Sequence, residues 1–115
     1  MRRDELYLTD IAEAADSIAA FLSGRDRQSF LQDDLLRSAV LHKLTIIGEA
    51  AARLSADFRA HHTEIEWPDI VGFRNIAVHA YFTVDWSIVW VTATQDAPQL
   101  RRRVSEILTS EFGQS

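Results

Sequence analysis

The 115-residue chain reads as an all-α protein, an antiparallel up-and-down bundle of four to five helices forming one domain over residues 1–115. Three observations predict this. Apolar residues recur at helical intervals of three, four and seven; no stretch alternates with the two-residue period of a strand; and helix-ending or helix-starting residues punctuate the apolar stripes. Ile11, Ala14, Ala15, Ile18, Phe21 and Leu22 form the first stripe, which Ser23-Gly24 ends, so the first helix runs from about Asp4 to Leu22. Asp33 or Asp34 caps the second and longest helix, with Leu36, Val40, Leu44, Ile47, Ala51 and Leu54 on one stripe. Gly48 in its middle costs about 1 kcal/mol of helix propensity against alanine, which implies the close approach of a neighbouring helix. His61-His62-Thr63-Glu64 reads as a solvated connection, and Trp67-Pro68 opens a third helix, since proline suits a first turn. Thr83 or Asp85 opens the last helical region, which Pro98 breaks or kinks near Asp96. Its second piece is held by Leu100, Val104, Ile107 and Leu108, and the tail from Gly113 frays.

Composition narrows the function. At this length a single domain buries its own core without staples. The absence of cysteine excludes disulfides and thiolate metal sites and fits a reducing cytoplasm, the expected location. The charged start, Met1 to Glu5, leads into an amphipathic stretch, so neither a signal peptide nor a membrane span is expected. Twelve Lys and Arg against 17 Asp and Glu leave a net charge of -5, which argues against broad nonspecific nucleic-acid binding. Any such site must be local.

The stretch Arg74-Asn75-Ile76-Ala77-Val78-His79-Ala80-Tyr81 places an arginine, an asparagine, a histidine and a tyrosine inside an apolar helical segment. At 100° per residue, Phe73, Ile76, Ala77 and Ala80 take one arc and Arg74, Asn75, His79 and Tyr81 the other. Asn75 and His79 stand at i, i+4, and Arg74 and Tyr81 at i, i+7, giving two adjacent ridges. Val71, Val78 and Phe82 lie between and beside them, and a face of mixed polar and large apolar groups is expected to be covered by a partner surface. Histidine, with a pKa near neutrality, suits proton transfer in either direction. Arginine offers a planar fork for nonbridging phosphate oxygens, and Asn75 can orient His79 or donate to phosphate.

An Arg followed by four residues, His, one residue and Tyr, with Asn directly after the Arg, resembles the motif of the HEPN ribonucleases of prokaryotic toxin-antitoxin systems, and within them the HepT toxins. Ile47-Gly48-Glu49-Ala50-Ala51 in the preceding helix, Trp67, Ile70 and Gly72 ahead of the motif, and Phe82, Val84, Asp85 and Trp90 after it extend the resemblance over roughly residues 30 to 105. It implies a HEPN-like bundle that dimerises, with Val71, Val78 and Phe82 at the interface and two motifs facing one cleft. It further implies a metal-independent endoribonuclease that needs no cofactor, with Arg74, Asn75 and His79 as catalytic residues and RNA as substrate. The partner implied is an MntA-like nucleotidyltransferase, which adds AMP to Tyr81 and silences the toxin.

Other groups have plainer readings. His42 sits on the second helix at a surface or interface, and His61 and His62 lack a suitably spaced third ligand for a metal. Arg101-Arg102-Arg103 either guide RNA or form a solvated helical face. Trp67, Trp86 and Trp90 either stack bases or fill the core. Glu49 and Arg53 make an i, i+4 pair. Two other function classes stay in view: a noncatalytic module that docks a nucleotidyltransferase or binds nucleotide, favoured by the acidic charge, and a purely structural dimer, disfavoured because burying Arg74, His79 and Tyr81 for packing alone is costly unless each is paired.

Overall fold

A computed structural model describes residues 2–78 and 84–114 of the chain, which are helical with short connections and no strand among them. Three long helices set the frame: α1 (Arg2–Leu22), α3 (Asp34–Arg53) and α8 (Ala97–Phe112), with α1 packed on both of the others. Polar links give the directions. Asp4 at the start of α1 reaches Ser55, just past the end of α3, while Gln114 beyond α8 donates to Glu5, so α1 runs antiparallel to both neighbours. The core takes Ile11, Ile18, Val40, Leu44, Ile47 and Val104 from the stripes read in the sequence and adds Leu8, Phe30 and Val89, all essentially without solvent contact. Phe21, expected on the first stripe, is partly exposed at the end of α1, where Gly24 takes a positive φ of 73° and turns the chain.

Two short helices go beyond the sequence reading. In α2 (Arg27–Gln32), Asp26 accepts from the Ser29 N–H at 2.8 Å while the Ser29 hydroxyl accepts from the Asp26 N–H, a reciprocal cap that lets six residues form a helix. Phe30 of α2 then inserts between Trp86 and Trp90, with ring centroids 6.4 and 5.3 Å away. In α4 (Ala56–His61), the Ser55 hydroxyl caps the Phe58 N–H. The same Ser55 donates its N–H and its hydroxyl to the two carboxylate oxygens of Asp4, each at 2.8 Å, and Asp4 is only 3% exposed. A charged residue near the chain start is therefore a buried clasp between the first helix and the fourth.

Asp33 is the cap of α3, accepting from the Leu36 N–H at 3.0 Å, and Asp85 is the cap of α7 (Trp86–Val91) through the Ser87 and Ile88 N–H groups. Pro98 does not break the last region. Between α7 and α8 the chain widens into a π turn, Thr92–Asp96, in which the Ala97 N–H bonds the Thr92 carbonyl. Proline cannot donate to the carbonyl four residues back and crowds it, and a widened turn just ahead of the ring accommodates both effects without ending the helix.

The third helix is also not continuous. Trp67–Val71 forms α5, Gly72–Arg74 tightens to a 3-10 turn, and Asn75–Val78 forms α6. Glycine at position 72 lowers the local preference for a regular α-turn, and the segment is pressed onto α3. The two-ridge geometry expected for one unbroken helix therefore does not extend back through Gly72.

Candidate functional site

Gly48 is where the site begins. A Cβ placed on it would lie 2.5 Å from the Arg74 backbone nitrogen and 3.0 Å from both the Arg74 Cβ and the Val71 carbonyl oxygen. The close approach that a mid-helix glycine implies is thus the approach of the motif arginine itself. With its backbone seated in that notch, Arg74 extends a side chain 39% exposed, and its Nη1 lies 3.7 Å from the Glu49 carboxylate. Glu49, expected to pair with Arg53 on its own helix, has its ion pair across the helix contact instead. A half-exposed guanidinium with one loose carboxylate neighbour retains donors for an anion.

Asn75 follows at the surface, starting α6, while Phe73 is buried and Ile76 packs on the core, as the arc analysis requires. Val71 is half-buried against the chain's own core. Of Val78 only the backbone is described, and His79, Tyr81 and Phe82 lie outside the described residues. The structure therefore brings together Gly48, Glu49, Arg74 and Asn75 from the α3 and α6 ends of the motif.

The other candidates separate cleanly. Trp67 is buried and donates its indole N–H to the His62 carbonyl at 2.9 Å, and Trp90 packs on Phe30, so both serve the core. His62 is not solvated. Its ring stacks on Phe58 at 4.5 Å, with Nε2 2.6 Å from Glu111 and Nδ1 3.4 Å from Glu64, tying the α4–α5 connection to α8. His61 remains exposed at the end of α4. Its pKa is raised by contact with the Asp57 carbonyl and then by the Asp57 charge. Among the described residues no group of three or more His, Asp or Glu is placed to hold a metal ion. Nor does the arginine triplet form one patch: Arg101 makes a fork to Asp16 at 2.8 and 3.2 Å, Arg102 faces solvent, and Arg103 borders a cavity of about 270 Å³ that also holds Glu64, Glu66, Asp69 and Asp96.

Neither the Asp4 clasp nor the groove lined by Arg37 and Trp86 beside α3 was legible in the sequence. The groove's only sequence signal is an arginine in register with Leu41 and Gly48 on one side of the helix.

The all-α bundle is the architecture the HEPN resemblance implies, while the broken helix that seats the motif arginine on Gly48 is seen only in the structure. The sequence profile of the family described as Ribonuclease HepT-like matches residues 11–107, and the chain belongs to that family. It is 35% identical over 90% of its length to a provisionally named RNase of Methanocaldococcus jannaschii, covering 95% of that protein. It is 33% identical over 96% of its length to another from Caldanaerobacter subterraneus, covering 99% of it. A protein of Thermococcus cleftensis, named Probable ribonuclease HepT, is 38% identical over 88% of this chain and 92% of its own. No solved structure matches the chain. Among the described residues no helix is long and apolar enough to cross a membrane.

Proposed function

We propose that this protein is the toxin of a type VII, HepT/MntA-like toxin-antitoxin pair: a metal-independent endoribonuclease, working in the cytoplasm, whose cleft forms between two protomers. The observation that carries the reading is the seating of Arg74 on Gly48. It holds a half-exposed guanidinium at a fixed point on the bundle, with Asn75 beside it and His79 following in the motif. Membership of a ribonuclease family supports RNA as the substrate.

The chemistry needs a base, an acid and a cation. His79 takes the proton from a ribose 2′-hydroxyl, and the 2′-oxygen attacks the adjacent phosphorus. The P–O5′ bond breaks, leaving a 2′,3′-cyclic phosphate and a 5′-hydroxyl that receives its proton from the second protomer's copy of the motif histidine. Arg74 stabilises the charge growing on the nonbridging oxygens, and Asn75 orients His79 or donates to phosphate. One chain has one such histidine, so pairing through the face of Val71, Val78 and Phe82 completes the acid–base couple. Silencing follows at Tyr81. Its hydroxyl oxygen attacks the α-phosphorus of ATP on the nucleotidyltransferase, pyrophosphate leaves, and the added AMP sets a phosphate charge and bulk in the cleft near Arg74.

The test compares wild type and His79→Ala on end-labelled RNA in excess EDTA, with helicity and dimer state checked for both. Cleavage by wild type alone supports the reading. Equal cleavage by both removes His79 from the chemistry, and no cleavage by either leaves the noncatalytic, nucleotidyltransferase-docking module as the better account once intact mass shows Tyr81 unmodified.

A further inference from the structure

On the side of α3 that receives Arg74, a groove of about 570 Å³ opens toward the start of the helix, lined from α3 by Asp34, Arg37, Ser38, Leu41, His42 and Thr45 and from the α7 side by Val84 and Trp86. Arg37, Leu41, Thr45 and Gly48 follow one another at intervals of four, four and three residues, so the groove and the notch that seats Arg74 share one stripe of α3. Arg37 and Gly48 are separated by roughly 16 Å along the helix axis. The groove and the motif arginine therefore share one side of α3, the groove nearer the start of the helix.

Arg37 is held in place. Its guanidinium lies over the Trp86 ring, 5.0 Å from the centroid, and Trp86 is itself braced edge-on by Phe30. Yet the guanidinium has more donors than partners. Its Nε is enclosed and has no acceptor among the described residues, while the ion pair from Nη2 to Asp34 at 3.4 Å reaches a carboxylate that is 91% exposed, an arrangement worth little in water, so the outer guanidinium nitrogens are only loosely held. A planar cation fixed on an aromatic face with donors to spare suits a phosphodiester. Elsewhere among the described residues Arg101 is committed to Asp16, Arg25 to Asp33, and Arg103 borders an acidic cavity. In a chain of net charge -5, Arg37 lines the groove and Arg74 is seated farther along the same stripe of α3, with the exposed His42 between them in sequence.

We infer that this groove is a subsite for the single strand of RNA flanking the scissile phosphate. Arg37 binds a backbone phosphate a few nucleotides from the one at Arg74, His42 lies along the path, and Leu41, Val84 and the free edge of Trp86 face the bases. The inference rests on the ribonuclease reading, and it adds a preference for substrates long enough to span the groove.

The experiment measures fluorescence anisotropy of labelled 2′-O-methyl RNA, which has no attacking hydroxyl, as a dinucleotide and as an octamer. Wild type is expected to bind the octamer more tightly. Arg37→Gln and His42→Ala should each weaken the octamer about fivefold, lower the salt dependence of its binding by about one unit of slope for Arg37→Gln, and leave the dinucleotide unchanged. Unchanged octamer binding in both variants overturns the inference, as does a changed oligomeric state of folded Arg37→Gln, which would make this face an interface between copies. If Arg37→Gln does not fold, the exposed His42→Ala decides alone, with loss of octamer affinity supporting and wild-type affinity overturning. Cleavage of unmodified RNA is scored in parallel. Arg37-dependent octamer binding with no cleavage by wild type keeps the groove and removes the nuclease, whereas cleavage with Arg37-independent binding does the reverse.

Discussion

Gly48 and Arg74 are packed so closely that no side chain fits between them: even a Cβ at position 48 would stand 2.5 Å from the Arg74 backbone nitrogen. That contact is backbone on one side, so it cannot be relieved by turning a side chain. The residue that weakens α3 as a helix is the one that sets where the motif arginine stands.

Gly48→Ala should therefore cost more than it returns. Overpacking costs about 1–3 kcal/mol, against about 1 kcal/mol of helix propensity regained. Chemical denaturation should show a small net loss of stability, and RNA cleavage should fall further than stability because Arg74 is displaced. Gly72→Ala is the contrast. Among the described residues nothing lies within 4 Å of where its Cβ would stand, and its φ is negative, so the substitution should be neutral or stabilising by up to about 1 kcal/mol.

Arg74→Lys should lower the cleavage rate on the order of 10²-fold while leaving the melting temperature nearly unchanged, because a point charge replaces a planar fork in the transition state. Glu49→Gln should act in the opposite direction on binding. Removing the carboxylate 3.7 Å from Arg74 frees the guanidinium, so RNA affinity at low salt should rise modestly, by less than about 1 kcal/mol for so exposed a pair.

Asp4→Ala should destabilise the fold by about 1.5–3 kcal/mol in urea denaturation, since the Ser55 N–H and hydroxyl both lose a charged acceptor in a site 3% exposed. Asp4→Asn keeps the shape and one acceptor and should lose less. Neither should alter the dinucleotide affinity of the Arg74 site, which lies on a different face of α3.

Stability should fall off on both sides of neutrality. The Glu64 carboxyl is held below its ordinary value, first by its own backbone N–H and then by His62, so its contribution is present above about pH 4.5 and is lost as pH falls through the lower folded value. The His61 pKa is raised by the Asp57 carbonyl and charge, so its contribution is full below about pH 6.5 and is lost as pH rises through the higher folded value. Melting temperature against pH should show both flanks, and His61→Ala should flatten the alkaline one. Both groups are exposed, so the slopes should be small.

Helix existence was legible where stripes are long: α1, α3 and α8 lie where apolar periodicity put them, because burying a stripe of a long helix is the dominant local demand. The short helices α2 and α4 were not, since six residues carry little periodicity and depend on caps. The reciprocal cap of Asp26 and Ser29 holds one, and the Ser55 cap of the other is tied in turn to Asp4. The break at Gly72 escaped for the same reason, being set by what the segment presses against.

The amino-acid order alone determined the all-α class, the place of the main helices, the motif from Arg74 to Tyr81 with its ribonuclease family, and the close approach at Gly48. Only the tertiary structure decided that the approaching residue is Arg74, that Glu49 pairs with it and not with Arg53, that Asp4 is buried, and that Arg37 on Trp86 opens a groove along the same stripe. Periodicity and capping act over neighbouring residues and are written in spacing, whereas an ion pair, a notch or a groove joins residues tens of positions apart. Which distant partner arrives depends on how the packed helices cross.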